Sequence, residues 1–168
     1  EYAPTQPANF TAVVKGDSTI YLSWIASSDN VKVVEYNIYR NGVLIAKTEG
    51  TAYTDKNAFA GLYTYYVEAV DNEGNVSTAS KKVTVDNEAP TKPILTLSKV
   101  GDSYISLEWI CSDNVGVTFY NIYRNNVLVK TVSANSYVDT NISIDSHYTY
   151  CVVAYDASEN KSEASNEV

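Results

Sequence analysis

The chain has 168 residues, with 20 Asp and Glu against 12 Lys and Arg, and a formal charge of −8. That balance argues against nucleic acid or an anionic membrane as partner, because both need clustered Lys and Arg. A hydrophobic content of 45% with 15 tyrosines marks a folded protein, and no apolar run is long enough to span a bilayer.

The opening EYAPTQPA sets Pro4 and Pro7 in polar company and reads as the tail of a linker, residues 1–7. Methionine is absent, so the sequence reads as a piece of a longer chain. After a turn signal at Lys15, Gly16 and Asp17, Ile20, Leu22 and Trp24 share one face of an expected strand, with Tyr21 and Ser23 on the other. The next alternating run points Tyr36 and Ile38 inward and Asn37 and Tyr39 outward, and Asn41-Gly42 supplies the hairpin turn that leaves it. Tyr63, Tyr65, Val67 and Ala69 form a further inward row, closed by a turn at Glu73, Gly74 and Asn75. No segment carries a helical period.

The second half repeats the first. YNIYRN occurs at Tyr36 to Asn41 and again at Tyr120 to Asn125, a spacing of 84. Around it Gly16, Asp17 and Ser18 return as Gly101, Asp102 and Ser103, Trp24 as Trp109, and Asp29, Asn30 and Val31 as Asp113, Asn114 and Val115. Tyr53 and Asp55 return as Tyr137 and Asp139, and YTYYVEAVD returns as YTYCVVAYD. The inward row Ile105, Leu107 and Trp109 copies Ile20, Leu22 and Trp24. A long internal repeat is read as duplicated supersecondary structure before any motif is weighed. The expected division is residues 1–86, a linker 87–93 rich in charge, Asn and proline, and residues 94–168. Core needs explain YNIYRN without a duplicated active site.

About seven short strands in each half, with an inward Trp on the second and a Tyr opening the sixth, describe an all-β chain of two tandem immunoglobulin-like β-sandwiches. The chain resembles tandem fibronectin type III modules over nearly all of its length. In SDNVKVVEYNIYRNG and SDNVGVTFYNIYRNN it resembles the bacterial branch found in secreted chitinases, cellulases and related glycoside hydrolases. The resemblance implies that Tyr63 and Tyr148 are tyrosine-corner residues and that Trp24 and Trp109 are core tryptophans. It further implies an extracellular, monomeric, non-catalytic pair that spaces and stabilises neighbouring modules of a polysaccharide-degrading enzyme. A carbohydrate-binding module and an adhesin segment are the alternatives.

The candidate chemistry is sparse. His147 is the only histidine and aligns with Leu62, so no site that uses it is duplicated, and no nucleophile or phosphate-binding motif accompanies it. Glycoside hydrolysis needs two carboxylates facing each other across a cleft, whereas Glu68 and Glu108 have outward parity on a convex sandwich. Cys111 continues an inward row while Cys151 lies between inward Tyr150 and Val152, so two free thiols are expected. No zinc site is expected from one histidine and two separated cysteines. No cofactor is required.

Two readings stand for the acidic loops. Asp29, Asp71, Glu73, Asn75, Asp86, Glu88, Asp113, Asp156 and Asn160 are candidate oxygen ligands for Ca2+. Equally, Asp and Asn are good turn formers. Tyr39 and Tyr66, outward on neighbouring strands, are candidate stacking residues for a polysaccharide, or a cross-strand pair that stabilises the sheet. The KGD tripeptide at Lys15 to Asp17 reads as a tight turn.

Overall fold

Alternating apolar residues give the backbone one face to bury, and among the described residues that demand is met with strands. The structure is a computed structural model that describes residues 2–16 and 18–168. Glu1 and Asp17 lie outside the described residues, and with Asp17 the expected turn at Lys15 to Asp17. The chain divides into two compact units, Glu1–Asn87 and Glu88–Val168.

Unit 1 contains β1 (Ala8–Val14), β2 (Ile20–Ile25), β3 (Val33–Arg40), β4 (Val43–Thr48), β5 (Ala52–Asp55), β6 (Leu62–Asp71) and β7 (Val83–Asp86). They form two antiparallel sheets, ordered β1-β2-β5 and β4-β3-β6-β7. Ile20, Leu22 and Trp24 from the first sheet meet Tyr36, Ile38, Tyr65, Val67 and Ala69 from the second in one buried cluster. Trp24 stands edge-on to Tyr36 with ring centroids 5.3 Å apart, a favoured aromatic geometry.

Unit 2 repeats the plan with β8 (Ile94–Gly101), β9 (Tyr104–Ile110), β10 (Val117–Arg124), β11 (Val127–Val132), β12 (Ser136–Asp139) and β13 (Tyr150–Asp156). Its sheets run β12-β9-β8 and β11-β10-β13. Leu107, Trp109, Tyr120, Ile122, Tyr150, Val152 and Ala154 are the matching core, with Trp109 again edge-on to Tyr120. The sandwich reading therefore holds for both halves, with the expected seven strands in unit 1 and six in unit 2.

The YNIYRN phrase leaves its strand through a turn that needs positive φ. Asn41 and Gly42 have φ of 51° and 81°, and Asn125 and Asn126 have 50° and 64°. Asn tolerates that region better than other side chains do. Each turn is also tied sideways: Thr64 N–H donates to Asn41 Oδ1 at 2.8 Å, and Thr149 N–H donates to Asn125 Oδ1 at 2.9 Å.

The linker readings at residues 1–7 and 87–93 need correction, because much of that chain is docked. Thr5 N–H donates to Ser28 O at 2.8 Å, and Ser28 N–H returns a bond to Thr5 Oγ1 at 2.8 Å. In unit 2 Thr91 and Ser112 exchange the same two bonds at 2.8 and 2.9 Å. Pro4, Pro7, Pro90 and Pro93 are all buried. Asn87 belongs to unit 1, where its N–H donates to Gly61 O and its Nδ2 to Ala58 O. Two Ala-Pro-Thr segments are thus working parts of their units.

A second device closes the free side of β6. Ser77 and Ser80 are buried, and their hydroxyls accept from the N–H groups of Ala69 at 2.9 Å and Val67 at 3.0 Å. Their own N–H groups donate to Ala69 O and Val67 O. Ser162 and Ser165 do the same for Ala154 and Val152 in unit 2. Buried backbone groups must be paired, and here serine hydroxyls supply half of the pairing that a regular strand would give.

Candidate functional site

Catalysis needs convergent groups in a recess, and the sequence expects none from His147, Glu68 and Glu108. His147 is exposed just ahead of β13. Glu68 lies on β6 in unit 1, while Glu108 lies exposed on β9 in unit 2 and accepts from Ser98 Oγ at 3.0 Å. A hollow of about 450 Å³ in unit 2 is lined by Ile94, Thr96, Glu108, Trp109, Ile110, Asn135 and Ser136. It holds one carboxylate, whereas glycoside hydrolysis by paired carboxylates needs two.

Cys111 and Cys151 are free thiols. The Cys111 thiol donates to Thr91 O at 3.0 Å and so adds to the docking of the Ala-Pro-Thr segment. Cys151 faces Tyr123 across β10 and β13. Burial raises both thiol pKa values, with the charge of Glu167 adding to the rise at Cys151.

Tyr39 and Tyr66, the candidate stacking residues, form a cross-strand pair. Tyr39 and Tyr66 sit opposite each other on β3 and β6 and stack face to face, 4.7 Å between centroids and 9° between planes. Lys82, which leads into β7 on the other side of β6, places its ammonium 5.3 Å from the Tyr66 centroid. Tyr66 is therefore flanked by the Tyr39 ring and the Lys82 ammonium. Burial first, then a hydrogen bond to Glu68, raises the Tyr39 pKa. Unit 2 has its stacked pair elsewhere, between Phe119 and Tyr155.

The acidic loop residues are engaged as turn formers. Asp71 Oδ1 accepts from the N–H groups of Glu73 and Asn75 at 2.9 and 2.8 Å, and Oδ2 accepts from Asn75 Nδ2 at 2.7 Å. The Asn75 side chain is the main cause that holds the Asp71 carboxyl below its ordinary range; burial opposes this, and the loop N–H groups reinforce it. Asp156 is bound in the same way by the N–H groups of Ser158 and Asn160 and by Asn160 Nδ2. Asp29 accepts from Val31 N–H, and Asp113 from Val115 and Gly116 N–H, in separate turns. Asp86 is buried at the end of β7, and Glu88 opens the chain of unit 2. In unit 2, oxygens of Asp113 and Asp156 come within 4.8 Å of one another.

The most developed polar constellation was not expected from the sequence. Asp55, on the first sheet of unit 1, is buried and accepts from Arg40 Nη1 and from the Tyr65 hydroxyl, both on the second sheet and both at 2.8 Å. Its other oxygen accepts from Asn57 N–H at 3.0 Å, and Arg40 also donates to Asn57 O. Unit 2 repeats the cluster with Arg124, Asp139, Tyr150 and Asn141. Burial, then the hydrogen bond and charge of the aspartate, push both tyrosine hydroxyls far above their usual pKa. Burial alone would lower the arginine values, but the aspartates outweigh it and raise them. Such groups are locked in one protonation state at neutral pH, which suits a fastener and not a proton carrier. Of the two expected tyrosine corners, Tyr148 makes the loop bond, with Ser143 N–H donating to its hydroxyl at 2.8 Å.

Comparison with known proteins points the same way. The family described as "Rhamnogalacturonan I lyases beta-sheet domain" matches residues 9–85. Chitinase A1 of Niallia circulans is 38% identical across 99% of this chain, which covers 25% of that protein. Exoglucanase B of Cellulomonas fimi is 33% identical across 99% of this chain, which covers 16% of that protein. The chain thus spans a quarter or less of these relatives. Among solved structures, the fibronectin(III)-like modules of Clostridium thermocellum CbhA align with a TM-score of 0.56 at 16% identity, over 95% of this chain and 91% of that one. The FN1-FN3 domains of chicken CNTN1 align at 0.52 and 18% identity, over 99% of this chain and 67% of theirs. At such identities the likeness shows the fold alone. The chain thus has the fold of fibronectin(III)-like modules in two units, and is similar over 99% of its length to segments of a bacterial chitinase and a bacterial exoglucanase.

Proposed function

We propose that the pair is a non-catalytic spacing and stabilising element of an extracellular polysaccharide-degrading enzyme. In this reading it is monomeric and holds a catalytic module at a set distance from a binding module. The observation that carries the reading is the similarity across 99% of this chain to small segments of chitinase A1 and exoglucanase B. Its side chains support the reading as well: the buried Asp55 and Asp139 are spent on joining the sheets of their units, and the hollow beside Trp109 holds a single carboxylate. Tyr66, flanked by Tyr39 and Lys82, weighs against a carbohydrate-binding role.

The test places the pair between a glycoside hydrolase catalytic module and a carbohydrate-binding module, and compares it with a Gly-Ser linker of equal residue count. A spacer role gives equal turnover of a soluble substrate by both fusions and faster turnover of insoluble polymer by the fusion with the pair. The pair alone should hydrolyse neither. Equal rates on insoluble polymer would remove the spacing role.

A further inference from the structure

The outward face of the first sheet carries a stripe that the core does not use, and its chemistry differs between the units. In unit 1 Ala8 stands opposite Ile25, and Thr11 opposite Ser23. Gln6, two residues ahead of Ala8, donates through Nε2 to Ala79 O, and the Thr11 and Ser23 hydroxyls share a bond of 2.8 Å. That stripe is neutral and satisfied from within.

In unit 2 Ile94 stands opposite Ile110, and Thr96 opposite Glu108. Lys92 takes the place of Gln6, Ile94 that of Ala8 and Glu108 that of Ser23. Ile94 and Ile110 are 59% and 66% exposed. The hollow of about 450 Å³ reaches Glu108 and a second of about 310 Å³ reaches Lys92, and Ile94 and Ile110 line both. Among the described residues Lys92 makes no ion pair, and Glu108 accepts from Ser98 Oγ alone. Unit 1 folds with Gln, Ala and Ser at these places, so the sandwich itself does not require Lys, Ile and Glu.

We infer that this stripe docks an extended polypeptide segment of a neighbouring module of the same chain, with a basic, an aliphatic and an acidic residue at alternate positions. The inference rests on the reading of the pair as part of a longer enzyme chain. Residues 92, 94 and 96 advance two at a time, and Glu108 faces the last of them. An extended segment has the same period of two, so its basic residue meets Glu108, its aliphatic residue the two isoleucines and its acid Lys92. A neutral polysaccharide offers neither charge. Two isoleucines and two charges are a small surface, whereas a separate protein needs about 1,000 Å² of buried area for stable binding. A tethered segment needs far less, because its effective concentration is millimolar.

The test titrates the full chain with the acetylated and amidated peptide Gly-Ser-Lys-Gly-Val-Gly-Glu-Ser-Gly and follows backbone amide shifts by NMR. The peptide has no net charge, so the acidic chain does not attract it from a distance. Shifts are expected at Ile94, Thr96, Glu108 and Ile110 and not at Ala8, Thr11, Ser23 and Ile25, with a dissociation constant in the millimolar range that tethering would supply. Lys92→Gln and Glu108→Ser each restore the unit 1 residue and should weaken binding about two- to fivefold, the range of one exposed ion pair. Adding Ile94→Ala to both should abolish the shifts while the chain stays folded. The inference is overturned if the stripe does not respond, if the triple variant binds as well as the starting chain, or if a cello-oligosaccharide moves the same amides and the peptide does not. Micromolar or tighter binding would overturn the tethered source, since that affinity needs no tether. A failure here leaves the fusion comparison on insoluble polymer untouched, and equal rates there leave this titration untouched.

Discussion

Arg40 and Asp55 belong to opposite sheets of unit 1 and meet at 2.8 Å, with the Arg40 side chain 25% exposed and the Asp55 side chain 4% exposed. The bond therefore joins the sheets across their interior, beneath the ring of Tyr63, which lies 5.3 Å from the guanidinium. Arg124, Asp139 and Tyr148 reproduce the arrangement in unit 2.

Removing the carboxylate takes the acceptor from three donors, one of them the Asn57 N–H. Asp55→Ala leaves the Tyr65 hydroxyl without its acceptor and Arg40 with Asn57 O alone, and the expected loss is about 3 kcal/mol, at the low end for a broken buried pair because Arg40 can reach water. Asp139→Ala should cost unit 2 a similar amount. Calorimetry of the full chain should show each substitution lowering one transition and leaving the other in place, which also assigns the two transitions. A drop below about 1 kcal/mol would show the cluster to be marginal.

The buried serines make a second test. Ser80→Ala removes the acceptor of Val67 N–H, and the expected cost is about 1–3 kcal/mol, the penalty of an unsatisfied buried donor. Ser165→Ala should cost the same through Val152 N–H. Denaturant titration of each variant measures this, and a neutral result would mean that water replaces the hydroxyl.

The Asp71 loop predicts a direction for acid unfolding. The folded pKa of Asp71 lies below its ordinary value of 3.8, so the unfolded chain takes up that proton first as pH falls. The loop's contribution is complete above the unfolded pKa, near pH 4, and is lost as pH drops through the lower folded value. Asn75→Ala removes the main cause of the shift and should weaken unit 1 at pH 7 while flattening its decline below pH 4. Melting curves across that range would show it. An unchanged pH slope in Asn75→Ala would assign the decline to other groups.

Calcium separates the two readings of the loop acids. Both Asp71 oxygens are already bound by Asn75 and the loop N–H groups, so the unit 1 transition is expected to be the same in excess calcium and in EDTA. Asp156 is bound in the same way, but Asp113 brings a second carboxylate within 4.8 Å of it, so any rise is expected in unit 2, where ion binding to the native state would stabilise by mass action. A rise in the unit 1 transition of several degrees would mean that its loop opens to take an ion.

Much of the fold was legible because burial on a sheet imposes period two. The inward rows at Ile20, Leu22 and Trp24 and at Tyr65, Val67 and Ala69 needed no tertiary information. The sheet-joining cluster was less visible, although its signal was present. Asp55 shares strand parity with inward Tyr53, and Asp139 with Tyr137, so an acid stands at an inward position twice. What parity cannot supply is the partner, since Arg40 and Tyr65 come from the other sheet. Ser77 and Ser80 escaped for a different reason: their spacing of three matches no strand period, and their role exists only beside β6. The docked Pro4 and Pro90 segments were read as linker because composition does not distinguish seated chain from free chain. The repetition of Ala-Pro-Thr ahead of each unit was the available clue.

The bond pair between Thr91 and Ser112 fixes where a unit can be cut from its neighbours. A boundary drawn at Ile94 strips unit 2 of buried Pro90 and Pro93 and leaves Ser112 without the threonine hydroxyl that serves it. A boundary between Asn87 and Glu88 leaves Asn87 on its loop carbonyls and hands the next unit its own seating segment. Recombination at that point would transfer each unit together with the proline segment that seats on it, so a gene could gain or shed copies at a boundary that splits neither device.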